Sequence, residues 1–381
     1  MITRIKSDRI VTPEGMLSGY VYFDQEQILQ VTAENLPFDQ EYDYSGKIVS
    51  PGFVDMHVHG GNNYDFCSAD VEDLPKIANF HLSHGTTTIV PTVTSVAYDT
   101  ICKSLDNLRA ALASGEIKSH VAGVHLEGPY FSPLMSGAQN PEHLTSPVPE
   151  VYEALVEKYG DLIKRWSYAP ELDQDLRFVQ YLSDHGIVPS AGHTAAIYDD
   201  CVAAFEKGCR LITHLFSCTS TITRVGGFRR LGVIETAFLL DDMDVEIIAD
   251  GKHLPPELIR LICKIKGYDR VSLVTDAMQA AGSTAKESSI GGMACIIEDG
   301  VAKLPDRSAF AGSIATTDRL LRVCVKDVGI PIPQAVQMLT ANPARVMGIN
   351  AGRIQPGTQP DFVVFDDDIC VSDVFVGGMK V

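Results

Sequence analysis

The sequence lacks an excess of basic residues: its 31 lysines and arginines are outnumbered by 49 aspartates and glutamates, and the formal net charge is −18. A surface of this sign repels polyanions and anionic lipid, so we expect neither a nucleic-acid nor a membrane partner. The sequence also lacks any run of ~18 apolar residues, which excludes a typical membrane span. Its nine cysteines contain no C-x-x-C pair, which argues against a zinc ribbon or a disulfide scaffold. The first ten residues hold no apolar signal segment, and we expect a cytoplasmic protein.

Both ends of the chain carry short segments in which apolar and polar residues alternate. At the N-terminal end these are residues 19–23 and 27–31, and at the C-terminal end residues 361–365 and 374–376. Turn residues such as Pro13 and Gly15 separate the segments, a pattern typical of antiparallel strands. The length of 381 residues suggests about two domains, or one large barrel with an appendage.

Between these ends, short apolar or β-branched runs alternate with longer stretches that can hold a helix. This alternation predicts parallel strands joined by helical crossovers. Eight such units within about 300 residues match a (β/α)8 TIM-like barrel, in which functional groups stand at the C-terminal ends of the strands. The predicted strands are 52–57, 87–91, 121–126, 165–169, 187–191, 211–214, 245–249 and 272–276.

The first predicted strand ends in a His-x-His pair. Because side chains alternate along a strand, His57 and His59 point to one face, about 7 Å apart. By the same alternation Val54, Met56 and Val58 are predicted to face the outer helices. Two imidazoles directed into a barrel can hold a metal ion, although two hydrogen-bonded core histidines give the same pattern.

Other predicted strands end in further residue types that bind metals. Glu127 follows the third strand, where a carboxylate is costly to bury unless it binds a metal or pairs with an arginine. His193, His214 and Asp276 stand at the ends of the fifth, sixth and eighth strands. His125 shares a face with Glu127, and the sequence assigns it no role.

Six side chains therefore offer enough nitrogen and oxygen ligands for one or two divalent ions, with open positions for water and substrate. They are His57, His59, Glu127, His193, His214 and Asp276. Two ions about 3.5–4 Å apart can share Glu127 and lower the pKa of water towards 7. Asp276 can then accept a proton and deliver it to the leaving group, a role worth about 10²–10⁴-fold in rate.

Seven short motifs follow one another along the chain. They are PGFVDMHVHG (51–60), HLEGPY (125–130), GHT (192–194), THLF (213–216), ADGKH (249–253), TDAM (275–278) and FAGS (310–313). Together with NPAR (342–345) and GTQPDF (357–362), they resemble the N-acetylglucosamine-6-phosphate deacetylase family of the amidohydrolase superfamily. The resemblance runs from about residue 48 to residue 381.

The resemblance implies a catalytic (β/α)8 barrel over residues 52–348. It also implies a small β-sandwich domain formed by residues 1–51 together with residues 349–381, and a homodimer. The implied reaction is hydrolysis of the acetamide of an N-acetylhexosamine 6-phosphate to acetate and the free amine. The implied cofactor is one or two divalent ions, zinc or iron.

The resemblance also implies a role for each site residue. Glu127, His193 and His214 match the ligands of the main metal, and the His-x-His pair matches the support of a second metal in members that keep it. Asp276 matches the catalytic acid and base. His253 matches a substrate-binding histidine near the sugar phosphate.

Three departures from the family pattern concern substrate binding. Ser217 and Cys218 replace an Asn-Ala pair that holds the sugar; Cys218 either contacts substrate or packs in the protein. Gln139 replaces a histidine that polarises the scissile carbonyl, and because Gln139 carries no charge, polarisation would fall to the second metal. The arginine that binds the phosphate in the family is missing at its expected position. Arg224 and Arg229 lie nearby in the sequence, and they either bind the phosphate or belong to a solvated surface.

Two other functions stay open. The departures favour a related amidohydrolase that acts on a different N-acyl compound. A barrel that has lost catalysis and serves as a binding protein is the other alternative, and the six polar side chains that are costly to bury argue against it.

Overall fold

A computed structural model describes residues 1–381 of the chain. The strands are β1 (Thr3–Thr12), β2 (Gly15–Phe23), β3 (Ile28–Thr32), β4 (Gln40–Asp43), β5 (Ile48–Pro51), β6 (Phe53–Val58), β7 (Gly60–Gly61), β8 (Tyr64–Asp65), β9 (Thr86–Val93), β10 (His120–Val121), β11 (Val124–Glu127), β12 (Ile163–Tyr168), β13 (Val188–Ala191), β14 (Leu211–Ile212), β15 (Thr223–Val225), β16 (Phe228–Arg230), β17 (Asp244–Ile247), β18 (Val271–Leu273), β19 (Glu287–Ile290), β20 (Met293–Glu298), β21 (Val301–Lys303), β22 (Phe362–Phe365), β23 (Val371–Val376) and β24 (Met379–Lys380). The helices are α1 (Leu74–Ser83), α2 (Tyr98–Ser114), α3 (Pro149–Tyr159), α4 (Arg177–Asp184), α5 (Tyr198–Glu206), α6 (Val233–Leu239), α7 (Pro256–Lys266), α8 (Thr317–Arg322), α9 (Ile332–Leu339) and α10 (Ala341–Met347). None of these helices is both long enough and apolar enough to cross a bilayer.

Eight parallel strands form the barrel, as the alternation of apolar runs predicts. Their hydrogen-bonded order is β6-β9-β11-β12-β13-β14-β17-β18, so each predicted strand is present and pairs with the next. The ring closes between β18 and β6 through the backbone: Asp276 N–H donates to His57 O (2.9 Å) and His59 N–H donates to Ala277 O (2.8 Å). These contacts bring the ends of the first and eighth strands together.

The two ends of the chain form one eight-stranded sheet. In it β5 pairs in parallel with β1 and antiparallel with β22. Its core contains residues from both ends, and the Phe23 ring lies 5.0 Å from the Phe362 ring and 6.4 Å from the Phe375 ring. This arrangement agrees with the predicted small β-sandwich domain formed from both chain ends.

A β-bulge interrupts the alternation of side chains along β6. The register of β6 against β9 shifts between Asp55 and Val58, which places one extra residue in β6. Met56 consequently packs in a buried cluster with Val90 and Leu211, which belong to other barrel strands. The prediction that Met56 faces the outer helices is therefore wrong. The extra residue of the bulge breaks the strict alternation of side chains on which that prediction was based.

His81 on α1 makes the fold sensitive to acid. Its side chain is fully buried, Nε2–H donates to Gly60 O (2.9 Å), and Nδ1 has no partner. Burial, reinforced by His84, lowers the pKa of His81 to about 4. The unfolded chain, with a pKa near the ordinary 6.5, binds the extra proton first, so stability falls as the pH drops from 6.5 to about 4.

We expect His81→Gln to reduce this acid sensitivity. The shift corresponds to about 3 kcal/mol of stability lost across that pH range, and glutamine keeps a donor for Gly60 O without titrating. Urea unfolding of metal-free protein at pH 7 and pH 4.5 measures the difference. His185→Gln, at an exposed histidine, should keep the wild-type difference; an equal acid loss in all three proteins would contradict the prediction.

Candidate metal centre and substrate cavity

The six predicted ligands converge at the C-terminal ends of the barrel strands in two groups. The first ligand group consists of Glu127, His193 and His214, and the second ligand group of His57, His59 and Asp276. Within each group the ligand atoms lie within 4.8 Å of one another, and all six residues are buried. Strand ends separated along the sequence therefore supply one compact set of nitrogen and oxygen ligands.

Three of these predicted ligands stand where the backbone leaves its strand in a left-handed conformation. The φ angles are 45° at His193, 26° at His214 and 47° at Asp276. Such angles are costly for residues with a Cβ atom and persist only where the surrounding structure holds them in place. The turns explain why β14 and β18 end earlier than predicted. Gly192 is required beside His193, because a Cβ atom there would lie 2.7 Å from the Thr213 Cβ.

Glu127 belongs to the first ligand group and also contacts two histidines of the second. Its Oε1 is 3.0 Å from His214 Nε2, 3.3 Å from His193 Nε2 and 3.4 Å from His57 Nε2. Its Oε2 is 3.3 Å from His59 Nε2. A tetrahedral ion bound at about 2.0–2.1 Å holds its ligand atoms about 3.3 Å apart, so these spacings fit divalent ions that share one carboxylate.

The hydrogen bonds at Nδ1 leave Nε2 free in three of the histidines. His193 Nδ1–H donates to Met135 O (3.0 Å) and His214 Nδ1–H donates to Ser217 O (3.1 Å). His57 Nδ1–H donates to Glu246 Oε1 (2.8 Å). Because these oxygens can only accept, the neutral form of each imidazole carries its lone pair on Nε2, which is the tautomer that a metal ligand needs.

Neighbouring carboxylates control protonation of the second ligand group. Burial opposes the charge on His57, but Glu127, Glu246 and Asp276 together raise its pKa to about 9. Burial likewise opposes the charge on His59, and Asp276 with Glu127 raises its pKa to about 10. A cation must displace these protons to bind, so metal affinity increases as the pH rises.

Sequence reasoning missed a buried ion pair beneath the ligands. Arg165 Nη1 lies 2.6 Å from Glu246 Oε2, and both side chains are fully buried. Besides His57, Glu246 Oε1 accepts the backbone N–H of His214 (3.0 Å), so one carboxylate supports a ligand from each group. Burial alone would raise the pKa of Glu246, but Arg165 and His57 lower it to about 2. The sequence did carry a signal for this ion pair: each of two predicted strands, 165–169 and 245–249, contains a charged residue.

His125 belongs to the same buried network. Its Nε2 lies 2.7 Å from Ser167 Oγ and its Nδ1 lies 3.2 Å from Thr92 Oγ1. Burial, with Arg165 nearby, holds its pKa well below the usual value. His125 is thus a neutral histidine packed against the ring of His57 at 4.6 Å.

A cavity of about 260 Å³ opens above the ligands. The predicted substrate-binding residues His253, Gln139, Ser217 and Cys218 all line it. His253 Nδ1–H donates to Asp250 Oδ2 (2.9 Å), which leaves Nε2 for another partner. Gln139 is 6% exposed, and Glu127 takes a hydrogen bond from its amide.

The predicted arginines lie elsewhere. Arg224 and Arg229 face each other across the β15–β16 hairpin, whose strand residues are all exposed. Neither lines the cavity, and no lysine or arginine of this chain does.

Comparison with known proteins agrees with these features. A model of the amidohydrolase family matches residues 48–381. An N-acetylglucosamine-6-phosphate deacetylase of Bacillus subtilis (strain 168) is 30% identical over 96% of this chain and 93% of its own. An N-acetylgalactosamine-6-phosphate deacetylase of Escherichia coli O157:H7 is 26% identical over 98% of both chains. The crystal structure of N-acetyl-D-glucosamine-6-phosphate deacetylase from Mycobacterium smegmatis, 30% identical, covers 100% of both chains with a TM-score of 0.92. The chain therefore belongs to the amidohydrolase family, among the N-acetylglucosamine-6-phosphate deacetylases.

Proposed function

We propose that this chain is a metal-dependent amide hydrolase that removes the N-acetyl group from an N-acetylhexosamine 6-phosphate. The observation that carries the proposal is the convergence of two ligand groups on one cavity, with Glu127 between them. The named relatives act on N-acetylglucosamine 6-phosphate or N-acetylgalactosamine 6-phosphate. Either sugar epimer is therefore a candidate substrate.

The ligands fit one or two divalent ions. The first ligand group is assigned to the main ion and the second ligand group to an additional one. Imidazole and carboxylate ligands without a thiolate suit zinc or iron. A divalent ion in such a site supplies Lewis acidity, which polarises an amide carbonyl and makes water more acidic.

Asp276 is proposed as the acid and base. Burial alone would raise its pKa, but His57 and His59 lower it, so that Asp276 is ionised at neutral pH. An ionised carboxylate can take a proton from water and return it to the departing amine. His253, oriented by Asp250, is proposed to bind a sugar or phosphate oxygen, with Ser217 and Cys218 as further contacts.

A homodimer is proposed to complete the cavity. The β15–β16 hairpin carries arginines away from the cavity of its own chain, and Phe228 at its turn is 80% exposed. A second copy that covers the hairpin would bury this ring. It would also receive Arg224 and Arg229 at its own cavity as ligands for the phosphate. All nine cysteines are free, which fits the proposed cytoplasmic location.

A second candidate is the hydrolysis of an N-acyl compound without a phosphate. The absence of any cationic side chain from the cavity favours it, if the chain works as a single copy. Ser217 and Cys218 at the cavity wall, in place of the usual Asn-Ala, point in the same direction.

A substrate panel tests the two candidates. Protein loaded with zinc or iron is incubated with the N-acetylated forms of glucosamine and galactosamine, each with and without a 6-phosphate, and with an N-acetyl amino acid. We expect acetate release to be fastest, by at least about tenfold, with one 6-phosphate, since a buried charge-assisted contact is worth about 1.5–3 kcal/mol. Equal rates on all compounds would reject the proposed substrate class.

The same panel tests the hairpin. In the Arg224→Ala/Arg229→Ala variant we expect KM for the phosphorylated sugar to rise while the rate on the unphosphorylated sugar is kept. If these arginines act in the partner's cavity, co-expression of the arginine variant with an Asp276→Asn chain should restore a low KM in the mixed dimers. In such a dimer the Asp276→Asn chain supplies the arginines to the cavity of the arginine variant, which still has Asp276. An unchanged KM in the arginine variant would contradict the proposed phosphate site.

A further inference from the structure

Gln139 is held in a fixed orientation beside Glu127. The backbone N–H of Ser95 donates to Gln139 Oε1 (3.0 Å), and Thr94 Oγ1 donates to the same atom (2.8 Å). A backbone N–H can only donate, so the atom that faces it must be the amide oxygen. The amide nitrogen then faces Glu127, with Nε2 at 2.7 Å from Oε2.

This hydrogen bond acts on Glu127 Oε2, the oxygen that is nearest to His59. The shortest contacts of His214, His193 and His57 with this carboxylate are to Oε1, at 3.0–3.4 Å, whereas the shortest contact of His59 is to Oε2, at 3.3 Å. A hydrogen bond to an ionised acceptor is about twice as strong as one between neutral groups. Gln139 therefore fixes the rotation of the carboxylate, with Oε1 towards His193, His214 and His57 and Oε2 towards His59.

We propose that Gln139 is a positioning residue for Glu127, which keeps this carboxylate aligned between the two ligand groups and so strengthens metal binding. Its oxygen is satisfied by Thr94 and Ser95, and its nitrogen is held by Glu127, so its contribution to a substrate contact is secondary. The proposal goes beyond the proposed function, which gives Gln139 no role, and it does not depend on which N-acyl compound is bound.

Metal binding without substrate tests the proposal. Full-length protein is stripped with a chelator, and the dissociation constant for zinc is measured by competition with a coloured chelator. Outer-shell partners of metal ligands typically change metal affinity by about 10–100-fold. We expect a weakening in this range for Gln139→Leu, which removes the donor, and for Gln139→Asn, whose shorter side chain cannot span Ser95 and Glu127 together.

Gln30→Leu is the matched control, because Gln30 lies exposed on β3, far along the chain from the ligands. It should keep the wild-type dissociation constant. Urea unfolding of each variant identifies any that fails to fold, and Gln139→Asn retains an amide for Ser95 if Gln139→Leu does not fold.

A second readout separates positioning from substrate contact. At saturating zinc we expect KM of the Gln139 variants to stay within about twofold of wild type, because the substitutions should change the affinity for zinc and not the affinity for substrate. An unchanged zinc dissociation constant overturns the proposal, whether or not KM rises. If the panel finds no hydrolysis, the zinc measurement still decides the role of Gln139.

Discussion

Replacing Asp276 with asparagine is expected to lower kcat for acetate release by about 10²–10⁴-fold, the usual contribution of a positioned acid and base. Asp276 Oδ1 lies 3.1 Å from His59 Nε2 and 3.4 Å from His57 Nε2, and these imidazoles keep its pKa below the usual value against the effect of burial. Asparagine has a similar size but cannot accept a proton. The variant should therefore bind substrate and fail in the chemical step.

Asp276 also belongs to the second ligand group, so metal content must accompany the kinetic measurement. Both proteins are assayed at saturating metal, with the bound metal determined by elemental analysis. Asp106→Asn, an exposed aspartate on α2 that pairs only with Lys158, is the control and should keep wild-type kcat. A kcat for Asp276→Asn within about threefold of wild type, with metal bound, would rule out the proposed acid and base.

Glu246→Gln is expected to lower the free energy of unfolding by about 3–5 kcal/mol, because it leaves the guanidinium of Arg165 buried without a counter-charge. The two side chains are fully buried, with Arg165 Nη1 2.6 Å from Glu246 Oε2. Glutamine keeps the shape of the side chain and can still contact His57 and the backbone of His214. The loss of stability therefore comes from the missing negative charge and not from a cavity. Urea unfolding measures this loss.

Two further variants calibrate this result. Asp161→Asn breaks the exposed pair with Arg109, in which the side chains are 65% and 43% exposed, and it should cost less than about 1 kcal/mol. Arg165→Met together with Glu246→Gln removes the unpaired charge and should recover part of the stability lost in the single variant. If Glu246→Gln costs no more than Asp161→Asn, the pair has no structural importance.

The barrel and both ligand groups could be predicted from the sequence because their signals are local. Each apolar run marks a strand, and a histidine or carboxylate at its end marks a position at the mouth of the barrel. His193, His214 and Asp276 follow this rule. Their exact backbone geometry could not be predicted, because the left-handed turns at these residues depend on tertiary contacts such as that between Gly192 and Thr213.

The supporting contacts could not be predicted because they join distant parts of the chain. Arg165 and Glu246 are 81 residues apart, and only closure of the barrel pairs them. A charged residue in a strand otherwise suggests a solvent-facing position. Gln139 is likewise held by Thr94 and Ser95, which follow another strand, and no spacing within its own loop indicates that contact.

The place of β5 between β1 and β22 has a consequence for how the protein is made on the ribosome. Strands β1–β5 emerge first, yet one edge of β5 lacks its neighbour until β22 has been synthesised, after every barrel strand. The nascent sheet therefore carries an open edge throughout elongation, and such edges invite pairing with other chains. The strand that covers this edge is synthesised only after the whole barrel, so a chain that stops before β22 exposes an unpaired strand edge even when its barrel is complete.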